Sequence, residues 1–109
     1  MTTRRPLPYY SLTQVRSMVR SGRLLVSNRV LTSAMQDFGW EYDDIVDALD
    51  GLRRKHFVKS APHKYEPGTV VDYYKARKLK GVNVYMHFHA GYEGTECYMV
   101  LGSCKELEE

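Results

Sequence analysis

The segment Val82–His89 constrains the fold more than any other part of the sequence. Its apolar residues are Val82, Val84, Met86 and Phe88, and they alternate with Asn83, Tyr85, His87 and His89. A period of two is typical of a β-strand with one apolar and one polar face. The polar face would carry two imidazoles, a phenol and an amide, groups that donate, accept or transfer protons near neutral pH.

The chain leading into this strand is strongly basic. Between Arg53 and Lys80, nine Lys and Arg residues stand against Glu66 and Asp72. The preceding window lacks Lys and Arg and carries the acidic residues Asp37, Glu41, Asp43, Asp44, Asp47 and Asp50. An acidic patch beside a basic one polarises the surface, and the basic side suits a polyanion. A solvated surface without a ligand is the other interpretation of the basic run.

The length and composition of the chain indicate one domain spanning residues 1–109. Hydrophobic residues make up 43% and aromatic residues 12%, which favours a globular fold over disorder. Neither a signal peptide nor an apolar run of about 18 residues is present, so we expect no membrane contact and a cytoplasmic location. Cys97 and Cys104 would then be free thiols.

Hydrophobic spacing and helix-end signals predict three helices in the first half of the chain. These are a helix that begins with a Ser11–Gln14 capping box and ends at Gly22, a helix between Ser27 and Gly39, and a helix over Asp43–Leu52. Met1–Tyr10 is expected to be an irregular leader, and Leu24–Val26 a brief extended segment.

The second half of the chain has the pattern of β-structure. The predicted strands, separated by proline and glycine turn signals, are His56–Ser60, Thr69–Lys75, Val82–His89 and Cys97–Leu101. Helices followed by hairpin-connected strands predict an α+β fold, with three N-terminal helices packed on one face of a C-terminal antiparallel sheet. The other sheet face is then free for a ligand.

Strand periodicity places the candidate chemistry on that free face. If the apolar side of Val82–His89 faces the helices, Tyr85 and His87 point away from them. Val58 is expected to pack inward, which would turn Lys59 outward. With Arg77 nearby, these groups would provide what metal-free RNA cleavage needs: a base for the 2′-OH, an acid for the leaving 5′-oxygen, and cations for the phosphate. Exposed Tyr and His residues are also ordinary on solvated strands.

A zinc site is a further alternative, with His87, His89, Cys97 and Cys104 as possible ligands. The two cysteines are seven residues apart and would point to opposite faces of a continuous strand, and the sequence has no Cys-x-x-Cys pair. Glycine-rich phosphate loops and paired carboxylates are missing too. We therefore expect neither a metal nor a cofactor.

The order of these features from Tyr10 to Lys105 resembles the MqsR family of toxin–antitoxin mRNA interferases. The segments that carry the resemblance are Ser11-Leu12-Thr13-Gln14-Val15, Ser21-Gly22, Gly39, Gly51-Leu52, Phe57-Val58-Lys59-Ser60, Asp72-Tyr73-Tyr74, Gly81, Val84-Tyr85-Met86 and Lys105-Glu106. The resemblance implies a RelE-like ribonuclease toxin fold, ribosome-independent cleavage of mRNA and neutralisation by a cognate antitoxin. It also implies contact with operator DNA through the antitoxin complex.

By the same resemblance, three residues fall on functional positions of the family: Lys59, Tyr85 and Lys105. Two positions depart from it. Val71 stands where a functional glutamine is known in the family, and His87 stands where the family can carry a lysine. The mechanism here would therefore depend more on imidazole.

The sequence thus predicts a metal-independent endoribonuclease toxin that cleaves single-stranded mRNA by 2′-OH attack. Its expected catalytic residues are Lys59, Tyr85, His87 and Lys105, and its expected RNA-binding residues are Tyr73, Lys75, Arg77, Lys78 and Lys80. The alternative is a non-catalytic RNA- or DNA-binding module that uses the same basic, tyrosine-rich face. A third hypothesis is a protein-interaction domain that binds through the acidic helix.

Overall fold

The computed structural model describes residues 7–108, so the predicted leader is described only from Leu7 onward and residues 1–6 lie outside it. The elements, in chain order, are α1 (Leu12–Arg20), β1 (Leu24–Val26), α2 (Asn28–Phe38), α3 (Tyr42–Gly51), β2 (Phe57–Pro62), β3 (Val70–Leu79), β4 (Val82–Glu93) and β5 (Glu96–Glu106). One 3₁₀ turn, Arg54–His56, leads into β2. The predicted α+β architecture is confirmed.

The helix ends follow local capping chemistry, with one exception. The Ser27 hydroxyl accepts a hydrogen bond from the Val30 N–H (3.3 Å) at the start of α2. Gly39 ends that helix with φ +71°, a left-handed conformation that glycine adopts without steric cost. Ser11 precedes α1, but its side chain makes no capping bond, so the predicted capping box is wrong.

The direction in which the chain enters α1 is set by a buried carboxylate on β3. Asp72 is fully buried and accepts hydrogen bonds from the backbone N–H groups of Tyr9 (3.2 Å) and Tyr10 (2.9 Å) and from the Ser60 hydroxyl. The Tyr10 hydroxyl donates to the Val70 carbonyl. Because a buried carboxylate needs such partners, these bonds tie the leader to β2 and β3.

The strands form one sheet in the order β1-β5-β4-β3-β2. Strands β2 to β5 are antiparallel neighbours, as predicted. The complete sheet is mixed, because the N-terminal extended segment Leu24–Val26 adds a strand that pairs in parallel with Met99–Leu101 of β5. This edge strand lies between α1 and α2 in the sequence, far from β5. The long stretch of chain between the two strands allows them to pair in parallel.

The helices cover one face of the sheet and form the core with it. Val84, Met86 and Phe88 are all at most 1% exposed, which confirms the predicted inward side of β4. From the helices, the most deeply buried side chains are Val15, Val30, Ala34, Ile45, Ala48 and Leu49. The opposite face, called the open face below, carries the alternate residues of β2, β3, β4 and β5.

Bulges in β2 and β5 change which side of the sheet a residue faces, as does an irregularity between Ala76 and Leu79 of β3. In β2, the pairing skips Val58: Phe57 pairs with Tyr74, and Lys59 pairs with Tyr73. Val58 is therefore 38% exposed, and its predicted inward packing is wrong, whereas Lys59 does lie on the open face. In β5, Gly102 is the extra residue between the pairs Leu101–Phe88 and Ser103–His87.

Candidate functional site

Cross-strand register brings the candidate residues together on the open face. Directly paired residues share a face, and two rows cross the site: Lys59–Tyr73–His87–Ser103 and Lys75–Tyr85–Lys105. All members of these rows except Lys59 and Lys75 line a groove of about 590 Å³ that also reaches Arg29 and the His63–Tyr65 turn between β2 and β3. The predicted orientation of Tyr85 and His87 toward the open face is confirmed.

Aromatic rings surround His87, and lysines lie against those rings. The ring centroid of His87 is 5.1 Å from that of Tyr73 and 5.8 Å from that of Tyr85. Lys59 Nζ is 5.1 Å from the Tyr73 centroid, and Lys105 Nζ is 5.5 Å from the Tyr85 centroid. Such cation–π contacts hold each ammonium group against a ring that itself neighbours His87, and Lys105 is close enough to act on the imidazole through its charge.

The His87 imidazole is held in its neutral form. Burial lowers its pKa from the ordinary value of 6.5, and the nearby charges of His89, Arg29, Lys105 and His63 lower it further. Within residues 7–108, His87 Nδ1 and the Tyr74 hydroxyl are the buried side-chain polar atoms without a hydrogen-bond partner. A neutral imidazole in a polar groove is suited to accept a proton.

The Tyr85 phenol responds to burial in the opposite sense. Burial raises its pKa above 10.0, and the nearby Tyr73 phenol raises it further. At neutral pH the hydroxyl therefore keeps its proton and can donate it in a hydrogen bond. The two central groups of the groove differ in this respect: His87 offers a free lone pair, and Tyr85 offers a proton.

The predicted RNA-binding residues lie in three different places. Tyr73 belongs to the groove, and Lys75 lines an adjoining hollow of about 270 Å³ that shares Tyr85 and Lys105 with it. Arg77 and Lys78 are exposed near the end of β3. Lys80 lies on the helix side instead, where Nζ is 3.6 Å from an Asp44 carboxylate oxygen, 3.4 Å from one of Asp47 and 6.0 Å from the Trp40 ring centroid.

Val71 fills the position where the family is known to have a functional glutamine. It is 3% exposed and pairs with His89 on the open face, where it lines the groove. An isopropyl group neither donates nor accepts a hydrogen bond, so any polar contact at this end of the groove must come from neighbouring side chains. His63 and His89 are the nearest imidazoles there, with ring centroids 4.8 Å apart.

The structure separates the four residues considered for zinc. Cys97 lies on the helix side in a hollow lined by α1 residues, and Cys104 is buried on that same side, where burial raises its thiol pKa to about 12. His87 and His89 lie on the open face. The predicted opposite orientation of the two cysteines is wrong because the Gly102 bulge interrupts the alternation of β5.

A different group, formed by His63, Glu66 and His89, has side-chain ligand atoms within 4.8 Å of one another. His89 Nδ1 donates to the Ala90 carbonyl (2.9 Å), which leaves its Nε2 lone pair free. His63 Nδ1 accepts from the N–H groups of Tyr65 (3.0 Å) and Glu66 (3.1 Å), so neutral His63 carries its proton on Nε2. A metal ion at that Nε2 would require moving the proton to Nδ1 and breaking both bonds, so this geometry disfavours a metal ion.

Arg29 and His63 line the groove but were not predicted as site residues from the sequence. Arg29 is the second residue of α2 and lines the groove from the edge of the sheet. His63 lies in the β2–β3 turn. Neither belongs to an alternating strand pattern, and only their residue types could have marked them as candidates.

The fold and the site define a small α+β protein whose open sheet face presents imidazoles, phenols and lysines to a ligand. The sequence profile of the family described as "Motility quorum-sensing regulator, toxin of MqsA" matches residues 7–100, and the chain belongs to this family. It is accordingly a toxin of a toxin–antitoxin system, with a cognate antitoxin as its partner.

Among curated proteins, none matches the chain. Over residues 7–108, no helix combines the length and the apolar character needed to cross a membrane.

Proposed function

We propose that the toxin is a metal-independent, ribosome-independent endoribonuclease that cleaves single-stranded mRNA. The observation that carries this proposal is the position of His87: a neutral imidazole beside the Tyr85 phenol and the Lys105 ammonium group, with the Lys59 ammonium group held against the neighbouring Tyr73 ring. Transfer of the phosphoryl group from the 5′-oxygen to the neighbouring 2′-oxygen requires a proton acceptor, a proton donor and cations. These side chains provide all three.

In the proposed reaction, His87 accepts the proton of the 2′-OH while the 2′-oxygen attacks phosphorus. The bond between phosphorus and the 5′-oxygen breaks, and the Tyr85 hydroxyl donates a proton to the leaving oxygen. Lys59 and Lys105 stabilise the charge on the non-bridging oxygens. The products are a 2′,3′-cyclic phosphate and a 5′-hydroxyl, and His87 and Tyr85 regain their starting protonation states by exchange with water.

Single-stranded RNA suits the open groove for two reasons. In-line attack by the 2′-OH needs an unstacked nucleotide, which a flexible strand supplies. Tyr73 and Tyr85 can stack on bases, Lys75 lies beside the groove, and the exposed Arg77 and Lys78 farther along β3 would add phosphate contacts. We exclude Lys80 from the proposed RNA surface because of its contacts with α3.

The proposal extends to the partners of the toxin. The family description names MqsA as the protein that its toxins pair with, and we propose an antitoxin of that type here. Contact with operator DNA would be made through the toxin–antitoxin complex. Action on mRNA places the toxin in the cytoplasm.

The test is a cleavage assay with purified protein, single-stranded RNA and EDTA. We expect fragments that carry 2′,3′-cyclic phosphate and 5′-hydroxyl ends by mass spectrometry, and no cleavage of RNA whose 2′-OH groups are all 2′-O-methylated. Fragments with 5′-phosphate ends, or cleavage abolished by EDTA, would show that a hydrolytic metal site does the chemistry. Salt-sensitive binding without any cleavage would favour the non-catalytic RNA-binding module.

A further inference from the structure

The carbonyl of the Gly102 bulge is held by a side chain from another element. Strand β1 pairs only with Met99–Leu101, so Gly102 lies just beyond the paired edge of β5. Arg29 Nη2 donates to the Gly102 carbonyl at 3.1 Å. An arginine at the start of α2 therefore occupies the place where a longer β1 would have supplied a backbone partner.

The same bulge forms the surface on which the His87 ring lies. A Cβ atom added to Gly102 would come within 2.5 Å of His87 Cε1 and 2.6 Å of His87 Nδ1. Contacts this short do not occur between real atoms, so only a residue without a side chain leaves room for the imidazole. The position of the Gly102 backbone thus decides where the ring sits in the groove.

Charge connects Arg29 to the same imidazole. The groups that face His87 are Tyr85 and His89 on β4, Tyr73 on β3, Lys105 on β5, His63 in the β2–β3 turn and Arg29 on α2. Among these, Arg29 is the one that also bonds to the backbone under the ring. Its guanidinium has five N–H donors, so one bond to Gly102 leaves donors for the groove.

We propose that Arg29 is a positioning residue of the site, which fixes the Gly102 bulge and thereby the place of the His87 imidazole. The chemical consequence rests on the proposed function, because His87 is the proposed base. The positioning itself does not, and it can be measured in the protein without RNA. Arg29 is exposed, so its replacement should leave the core intact.

The test is NMR of full-length Arg29→Ala, with Arg23→Ala as the control. Arg23 is also exposed, loses the same charge and does not line the groove. In the wild type and in the control, we expect a strong nuclear Overhauser effect between a Gly102 Hα and His87 Hε1. In Arg29→Ala, we expect this signal to weaken and the titration midpoint of His87 to move to higher pH, because a neighbouring cation has been removed. Arg29→Lys should restore the midpoint more fully than the Overhauser effect, since it keeps the charge and loses the planar fork.

Cleavage supplies a separate readout. We expect Arg29→Ala to lose on the order of 10- to 100-fold in kcat at neutral pH, with the acid limb of its pH profile moved to higher pH. Identical Overhauser effects and His87 midpoints in Arg29→Ala and Arg23→Ala would overturn the proposal. If the wild type cleaves no RNA, the proposed function fails, while the NMR comparison still decides the role of Arg29.

Discussion

At the scale of single residues, burial moves the two central groups of the groove in opposite directions. Desolvation disfavours the charged form of either group, so it lowers the pKa of the His87 imidazolium and raises that of the Tyr85 phenol. Both side chains are consequently neutral at pH 7. In the proposed reaction, this difference favours His87 as the proton acceptor and Tyr85 as the proton donor, a choice that the sequence alone left open.

Replacing Tyr85 by phenylalanine should abolish the proton donor and keep the ring. We expect Tyr85→Phe to reduce kcat by roughly 10²–10⁴-fold, the range typical for loss of one general acid or base. The free energy of unfolding should change little, since the hydroxyl faces the groove. The measurements are a single-turnover cleavage assay and urea unfolding.

Tyr65→Phe is the matched control. It removes a hydroxyl from a tyrosine that is 85% exposed at the rim of the same groove, so cleavage should stay near the wild-type rate. A fully active, folded Tyr85→Phe would rule out the phenol as the acid.

At the scale of elements, the alternation of apolar and polar residues predicted the two faces of a regular strand but not the bulges. The two sides of β4 follow directly from the period of Val82–His89. Val58 and Gly102 break the alternation of β2 and β5, and a bulge is a property of the pairing between strands, which one strand's sequence does not specify. Leu24–Val26 was predicted as an extended segment, but its pairing with β5 was not, because the sequence of a three-residue strand does not specify its partner.

The β3–β4 hairpin contains a residue whose backbone conformation should lower the stability of the protein. Lys78 has φ +56°, a left-handed conformation that disfavours residues with a Cβ by roughly 1 kcal/mol or more. We expect Lys78→Gly to raise the free energy of unfolding by about 1 kcal/mol in urea titrations, since glycine relieves this strain.

The matched control for this prediction is Lys75→Gly on the same strand. Lys75 pairs regularly with Tyr85, so glycine there should destabilise the protein by up to about 1 kcal/mol. Equal effects of the two substitutions would contradict the assignment of strain to position 78.

At the scale of the whole molecule, stability should depend on pH through buried histidines. The pKa values of His56 and His87 are both lowered from 6.5, with burial as the largest cause. As the pH falls below that value, the unfolded chain binds protons more readily than the folded protein does. The free energy of unfolding therefore decreases. The stabilisation from the neutral forms is complete above pH 6.5 and is lost as the pH falls through the lowered native values.

We therefore expect the urea midpoint to fall between about pH 7.5 and pH 5, and the fall to be smaller in the double variant His56→Asn/His87→Asn. Chemical unfolding at a series of pH values measures this slope. A slope in the double variant equal to that of the wild type would show that other groups cause the pH dependence.

The candidate site was predictable only where it lies on regular strands. Tyr85 and His87 share a face because residues two apart on a strand do, whereas Tyr73 joins them through the register between β3 and β4, which the sequence left open. Arg29 could not be placed, because its position depends on how α2 packs against β5 and on how far β1 extends. The tautomers of His63 and His89 depend on backbone partners that become defined only in the folded chain.

The extra residue in β5 also decides which side chains of that strand reach the groove. Before Gly102, the odd-numbered residues Met99 and Leu101 are buried against the helices, and after it Ser103 and Lys105 lie on the open face. If Gly102 were paired regularly instead of bulged, Lys105 would turn to the side of the core and the Cys104 thiol to the groove. Deleting Gly102 itself would keep both residues on their present sides, because Ser103 would then follow Leu101 in regular alternation. The bulge therefore adjusts the spacing between Leu101 and Lys105 to the two faces of the sheet.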